Sequence, residues 1–250
     1  MATASRKSVR QAPRSGAIEA APVPDPAATV PSAELRRDIL VLMGSLLLHR
    51  GDGDAAMERF AEAITLAEEQ GDARALADAH TRMGRLFRYR NEPETASDHY
   101  ERAVAQAERA KHPGLAAQAW WEWAVLAHFA GDRVTALQRL ESAAQRWTEA
   151  GSDTDVARTL ALMATLHRKE GALPKARRLY EEAVAKQRAL CDHYELGITL
   201  GGLALLQLAE GEREEGLRTL VEGQQLLRGV NAEAESKLLR TAAEPLLVQE

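Results

Sequence analysis

MGSLLLHRGD at residues 43–52 returns as MGRLFRYRNE at 83–92, WAVLAHFAGD at 123–132, MATLHRKEGA at 163–172 and LALLQLAEGE at 203–212, each block 40 residues after the last. A fixed period with no slip in register marks one structural unit stacked on copies of itself. Each column of the alignment has a physical reading. Gly44, Gly84, Ala124, Ala164 and Ala204 are small and admit a neighbouring helix at close range. Ala56, Ala96, Ala136, Ala176 and Gly216 form a second small column. The large knobs Phe60, Tyr100, Leu140, Tyr180 and Leu220 follow it. Three residues further on come Ala63, Ala103, Ala143, Ala183 and Gly223. Large beside small at helical spacing predicts interlocked helices.

The stops repeat as well. Gly51, Asn91, Gly131, Gly171 and Gly211 form one column of breaks, and Gly71, Lys111, Gly151, Cys191 and Asn231 form another. Glycine, and less readily asparagine, takes the left-handed conformation that ends a helix. Two stops per period predict two helices per repeat of about 17 residues each, joined by tight turns. Pro93, Pro113 and Pro174 lie at helix starts, where proline is tolerated.

Outside the repeats, residues 1–31 are rich in Ala, Pro and Ser, with prolines at 13, 22, 24, 26 and 31. This composition predicts a disordered tail. Its basic residues Arg6, Lys7, Arg10 and Arg14 belong either to a solvated leader or to a docking arm for an acidic surface. Ser32 is positioned as the first N-cap. After Asn231 comes half a repeat, with Leu238, Leu239 and Ala242 as its apolar side and Pro245 expected to end or kink it. A polar-backed cap of this kind shields the last pair of a solenoid. The expected organisation is a tail over 1–31, repeats over 32–72, 73–112, 113–152, 153–192 and 193–232, and a capping helix over 233–250.

Composition narrows the function. The chain has 250 residues, 45% of them hydrophobic and 4% aromatic, with 32 basic against 37 acidic residues and a net charge of −5. That balance carries no nucleic-acid footprint. No run approaches the length of a membrane span and no apolar block follows the basic N-terminus, so a cytoplasmic protein is expected. The single cysteine, Cys191, has no thiol partner and no evident activating base. The seven histidines show no metal-ligand spacing, and there is no nucleophile elbow, P-loop or dinucleotide fingerprint. The expectation is therefore no catalysis, no metal and no cofactor.

The columns resemble the tetratricopeptide repeat, with its W-x2-L-G-x2-Y, A-x3-F and A positions. The first element stands here as Leu40-x2-Met43-Gly44-x2-Leu47, His80-x2-Met83-Gly84-x2-Phe87 and Trp120-x2-Trp123-Ala124-x2-Ala127. The second stands as Ala56-x3-Phe60-x2-Ala63, Ala96-x3-Tyr100-x2-Ala103 and Ala176-x3-Tyr180-x2-Ala183. The late proline of the family is replaced by Glu68, Glu108 and Thr148. Six extra residues per period (GDARAL, KHPGLA, GSDTDV, CDHYEL and NAEAES) are expected to lengthen the next first helix. This long form is similar to the repeats of Pins-type adaptors and MalT-like regulator sensors.

The resemblance implies an all-α superhelix, a solenoid of five helix-turn-helix repeats plus a cap, whose inner face is lined by the first helix of each pair. It places Asp38, Val41, Ser45, Leu48 and His49 there from the first repeat. From the second come Asp78, Thr81, Arg85, Arg88 and Tyr89, and from the third Gln118, Trp121, Val125, His128 and Phe129. The fourth gives Arg158, Ala161, Thr165, Arg168 and Lys169, and the fifth Ile198, Gly201, Leu205, Leu208 and Ala209. The candidate partner-binding set is Arg85, Arg88, Tyr89, Trp121, His128, Phe129, Arg158, Arg168 and Lys169. Arginine forks beside flat aromatics suit an acidic peptide; the alternative is that these arginines are solvated helix-face charges. Trp120 and Trp123 fall in packing columns, and Trp147 either seals the next pair or is exposed. The apolar fifth repeat is expected to offer hydrophobic anchorage or self-association. An adaptor gripping a protein or peptide is the reading that results. The alternatives are a ligand-sensing module working with a separate DNA-binding or ATPase protein, and a self-assembling scaffold.

Overall fold

The computed structural model describes residues 32–247, so the tail at 1–31 lies outside the described residues. Eleven helices fill the described chain: α1 (Ala33–His49), α2 (Gly53–Gln70), α3 (Ala73–Tyr89), α4 (Pro93–Arg109), α5 (Pro113–Phe129), α6 (Arg133–Glu149), α7 (Asp153–Lys169), α8 (Leu173–Leu190), α9 (His193–Ala209), α10 (Arg213–Gly229) and α11 (Glu233–Leu247). Four of the six extra residues in each period do open the next odd-numbered helix.

All ten positions read as stops have positive φ, including the non-glycines Asn91, Lys111, Cys191 and Asn231. The first turn shows how three residues suffice. Gly51, at φ 83°, turns the chain. The Asp52 N–H then donates to the Leu47 carbonyl at 3.0 Å, closing α1 in a Schellman motif. The Asp52 side chain accepts from the Ala55 N–H at 3.2 Å and opens α2. One residue therefore finishes one helix and starts the next. Asp72, Asp132 and Asp192 repeat the double role. Ser32 caps α1 through Leu35 as expected.

The helices interlock as the columns require. A Cβ built on Gly44 would lie 2.6 Å from the Phe60 ring, and one on Gly84 would lie 2.7 Å from the Tyr100 ring. Phe60, Tyr100, Leu140, Tyr180 and Leu220 are all buried. Successive odd-numbered helices pack on one another (α1 on α3, α3 on α5, α7 on α9, α9 on α11), which places them on the inside of the curve.

Two expectations at the C-terminal end need correction. The buried side of α11 runs through Ser236, Leu239 and Ala243, while Leu238 and Ala242 are exposed. Pro245 sits in the last turn and the helix continues to Leu247. α11 also packs where a sixth inner helix would stand. Leu205 and Leu208 are buried in a cluster with Ala243, against which Leu239 and Leu246 pack. A Cβ on Gly201 would meet the Leu239 side chain. Leu205 and Leu208 of the fifth repeat are therefore core beneath the cap and offer no exposed surface for self-association, while Ile198 of the same stripe stays exposed.

His80 stands in a column otherwise occupied by Leu40, Trp120, Leu160 and Leu200, and it is buried as a core histidine. Its Nδ1 lies 3.1 Å from the His99 Nδ1 on α4, so one ring donates to the other. Burial first, then His99 and Arg102, lowers its pKa from 6.5 to about 4. Folding thus excludes a proton that the unfolded chain accepts. The resulting stability is complete above about pH 6.5 and is lost as pH falls towards 4, an effect of up to about 3 kcal/mol. Urea unfolding between pH 7.5 and 4.5 should show this loss, and His80→Leu should reduce the slope, with the buried partner His99 keeping a share of it; an equal slope in both chains would refute it.

Candidate functional site

Four helices build the centre of the concave face. α3 presents Arg85, Arg88 and Tyr89, α5 presents Trp121 and Glu122, α6 contributes Trp147, and α7 contributes Asp155 and Arg158; together they surround a cavity of about 550 Å³. Glu122 is its electrostatic hub. Its carboxylate is buried and accepts from Arg85 through Oε1 and from Arg88 through Oε2, the latter at 3.3 Å. The Arg88 guanidinium also lies 4.7 Å from the Tyr89 ring centroid and 5.9 Å from that of Phe129. Across the cavity, Arg158 pairs with Asp155 at 2.6 Å and sits 5.1 Å from the Trp121 ring centroid.

Charge in the cluster is therefore mostly matched internally. Burial would lower the Arg88 pKa, but the Tyr100 hydroxyl and the Glu122 carboxylate outweigh it and the pKa rises. Tyr100, buried behind the pair, is pushed up by burial and then by Glu122. What remains unmatched, besides the Tyr100 hydroxyl, is a set of N–H donors. Arg85 Nε, Arg88 Nε, Arg158 Nε, Trp121 Nε1 and Trp147 Nε1 are buried and make no hydrogen bond within the protein.

The predicted residues separate into groups. Arg85, Arg88, Tyr89, Trp121 and Arg158 line the one cavity. Arg88, Tyr89 and Phe129 line a neighbouring hollow of about 580 Å³, where Tyr89 and Phe129 are well exposed. His128 packs beside Phe129, its pKa lowered by burial and then by Lys169 and Arg133. Lys169 is exposed, and Arg168 is half-buried with its own unpartnered Nε. Neither lines the central cavity. Val41, Thr81 and Gly201, placed on the inner face by resemblance, are core instead, and Trp121 and Ala161 in that column are half-buried. Trp120 and Trp123 stack on each other at 5.3 Å and are structural. Among the described residues no three His, Cys, Asp or Glu side chains form a metal-binding group, and no helix is long and apolar enough to cross a membrane.

Glu122 was not foreseen, and Trp147, which does seal the next pair, was not expected to line the site. Glu122 falls in a column without pattern (Leu42, Arg82, Glu122, Leu162, Gly202). Trp147 did leave a signal, because its column holds the fully buried Ala67 and Ala107 in α2 and α4. The indole packs on Val156 and Leu160 of α7 and Ala183 of α8. At that junction alone the inner helices, α5 and α7, do not pack closely on each other. The space left between them is the cavity, and Trp147 stands at its edge.

Stacked helix pairs of this length, with the first helix of each lining a concave groove, define a helical-repeat solenoid. The tetratricopeptide repeat model matches residues 35–109 and 115–189, and the chain belongs to that family. No curated protein matches the chain. The fold is similar to BtubC from P. vanneervenii (17% identity, TM-score 0.72, covering 80% of this chain and 82% of that one). It is also similar to apo RapI (12% identity, TM-score 0.75, 88% and 61%) and to the quorum sensor NprR from B. thuringiensis (16% identity, TM-score 0.69, 88% and 61%). The chain spans about three fifths of RapI and NprR.

Proposed function

We propose that the concave face holds an extended segment of a partner protein or a peptide, and that an acidic side chain of that ligand seats between Trp121, Trp147 and Arg158. The supporting observation is the set of buried N–H donors without acceptors around one ligand-sized cavity. A buried donor left unpaired costs about 1–3 kcal/mol. A carboxylate offers only acceptors and satisfies several such donors at once. Arg85 and Arg88, held by Glu122, set the local field more than they fork onto the ligand. Tyr89 and Phe129 at the rim supply rigid apolar contact for neighbouring ligand residues.

Titration of indole fluorescence with a short acidic peptide and with its amide-neutralised counterpart tests the reading. The acidic form should bind at least about tenfold more tightly, and Trp121→Ala with Arg158→Ala should abolish the difference. Equal binding of both peptides, or an undiminished preference in the double variant, would refute the acidic seat.

A second reading, a peptide-sensing module acting on another protein, is favoured by the likeness in shape to RapI and NprR. In that case peptide in the groove should change the affinity for the second protein, whereas a plain adaptor holds its ligand without such coupling.

A further inference from the structure

Among the described residues, the first helix carries the densest run of exposed aliphatic side chains. Leu35, Ile39, Leu42 and Leu46 of α1 are all exposed, with Met43 beside them. Their spacing of four, three and four residues puts them in one stripe along the helix. Leu42 and Leu46 expose 62% and 66% of their surface, the largest values on the stripe.

The register explains why this is unusual. The equivalents of Leu46 are Leu86, Leu126, Leu166 and Leu206, each buried against the small column and large knob of the preceding even-numbered helix. α1 has no preceding helix among the described residues. Nor does it match the inner repeats in composition. The positions equivalent to Ile39 are Ala79, Ala119, Thr159 and Thr199, all buried, which is what close stacking of a regular repeat demands. Only α1 carries a large aliphatic residue at all four stripe positions. The stripe is therefore shaped for a heptad seam with another helix and not for one more repeat of the inner kind.

We infer that α1 pairs face to face with α1 of a second copy of this chain. The four-three-four spacing reads the same in both directions, so the stripe is self-complementary, as a two-fold interface requires. The five side chains expose on the order of 500 Å² per copy, so a pair would bury about 1,000 Å², the lower bound for a specific interface. Residues 1–31 are poor cover for it. They contain five prolines, and Met1, Val9, Ile18, Val23 and Val30 are their only large aliphatic residues, too few and too interrupted by proline for a matching four-three-four stripe. A head-to-tail contact is also poorly matched, since the opposite end is the α11 face carrying Lys237, Arg240 and Glu244.

Sedimentation of the full chain over a concentration series in the micromolar range tests the inference. The expected mass approaches twice 27.3 kDa. Leu42→Glu with Leu46→Glu should halve it with helical circular dichroism unchanged, whereas Leu238→Glu on the cap should leave it as in the parent. A monomer throughout the series, or a charged double variant that still dimerises, overturns the inference. So does a monomer that dimerises only when residues 1–31 are removed, because the tail would then be the occupant.

Discussion

Glu122→Ala should lower the stability of the folded chain by about 2–3 kcal/mol. The side chain is a buried carboxylate shared by two guanidiniums from the neighbouring inner helix. Removing it leaves two cations of α3 side by side in a partly dry cleft with no counter-charge between them. Breaking a fully buried pair costs about 3–5 kcal/mol; the estimate is reduced here because the Arg85 and Arg88 side chains keep 28% and 14% of their exposure and draw some water. Chemical unfolding measures it. Replacing all three together (Glu122→Leu, Arg85→Met, Arg88→Met) should recover stability to within about 1 kcal/mol of the parent, since an apolar cluster of similar volume needs no desolvation. A loss below about 1 kcal/mol for Glu122→Ala alone would mean the pair contributes no more than a surface ion pair.

The same side chain tunes the groove. Glu122→Gln keeps the shape and part of the hydrogen bonding but releases one unit of positive charge beside the cavity. Acidic peptide should then bind several-fold more tightly even as the fold weakens, the sign expected when an internal competitor for two arginines is removed. Weaker acidic binding in this variant would place the ligand elsewhere.

The repeat was readable in the sequence because its causes are local and steric. A left-handed residue must end each helix, and a small residue must face each knob. All ten stops and all three small columns met those demands in place. The groove was less readable because register identifies a face, not what neighbouring side chains do to one another. Trp121 falls in the cavity as expected, yet its neighbour Glu122 takes the two arginines that seemed free on a helix-by-helix reading. Leu205 and Leu208 stand in inner-face columns, but α11 occupies that place and makes them core. Both departures involve contacts between adjacent inner helices, which no single-helix pattern encodes.

Trp147→Ala should close the central cavity and reduce acidic-peptide affinity by at least about tenfold. The indole stands where α2 and α4 carry fully buried alanines, and at those junctions the corresponding inner helices pack on each other. Alanine at 147 is thus the residue found at this place in α2 and α4, while α8 and α10 bury Gln187 and Leu227 there. With the ring gone, α7 can settle towards α5 and take up space now lined by Trp121, Asp155 and Arg158. Because the site can collapse in this way, the cost should fall near 2 kcal/mol, below the 3–5 kcal/mol of a rigid tryptophan cavity. Spin labels at positions 130 and 170, beyond the ends of α5 and α7, should report a shorter separation. The labelling background is Cys191→Gly, which suits the positive φ at that turn. Trp147→Phe separates the two roles of the side chain, bulk and N–H donor. It should keep the helices apart and weaken binding only by the loss of one hydrogen bond. An unchanged label distance in Trp147→Ala, with binding intact, would show that the cavity does not depend on the indole.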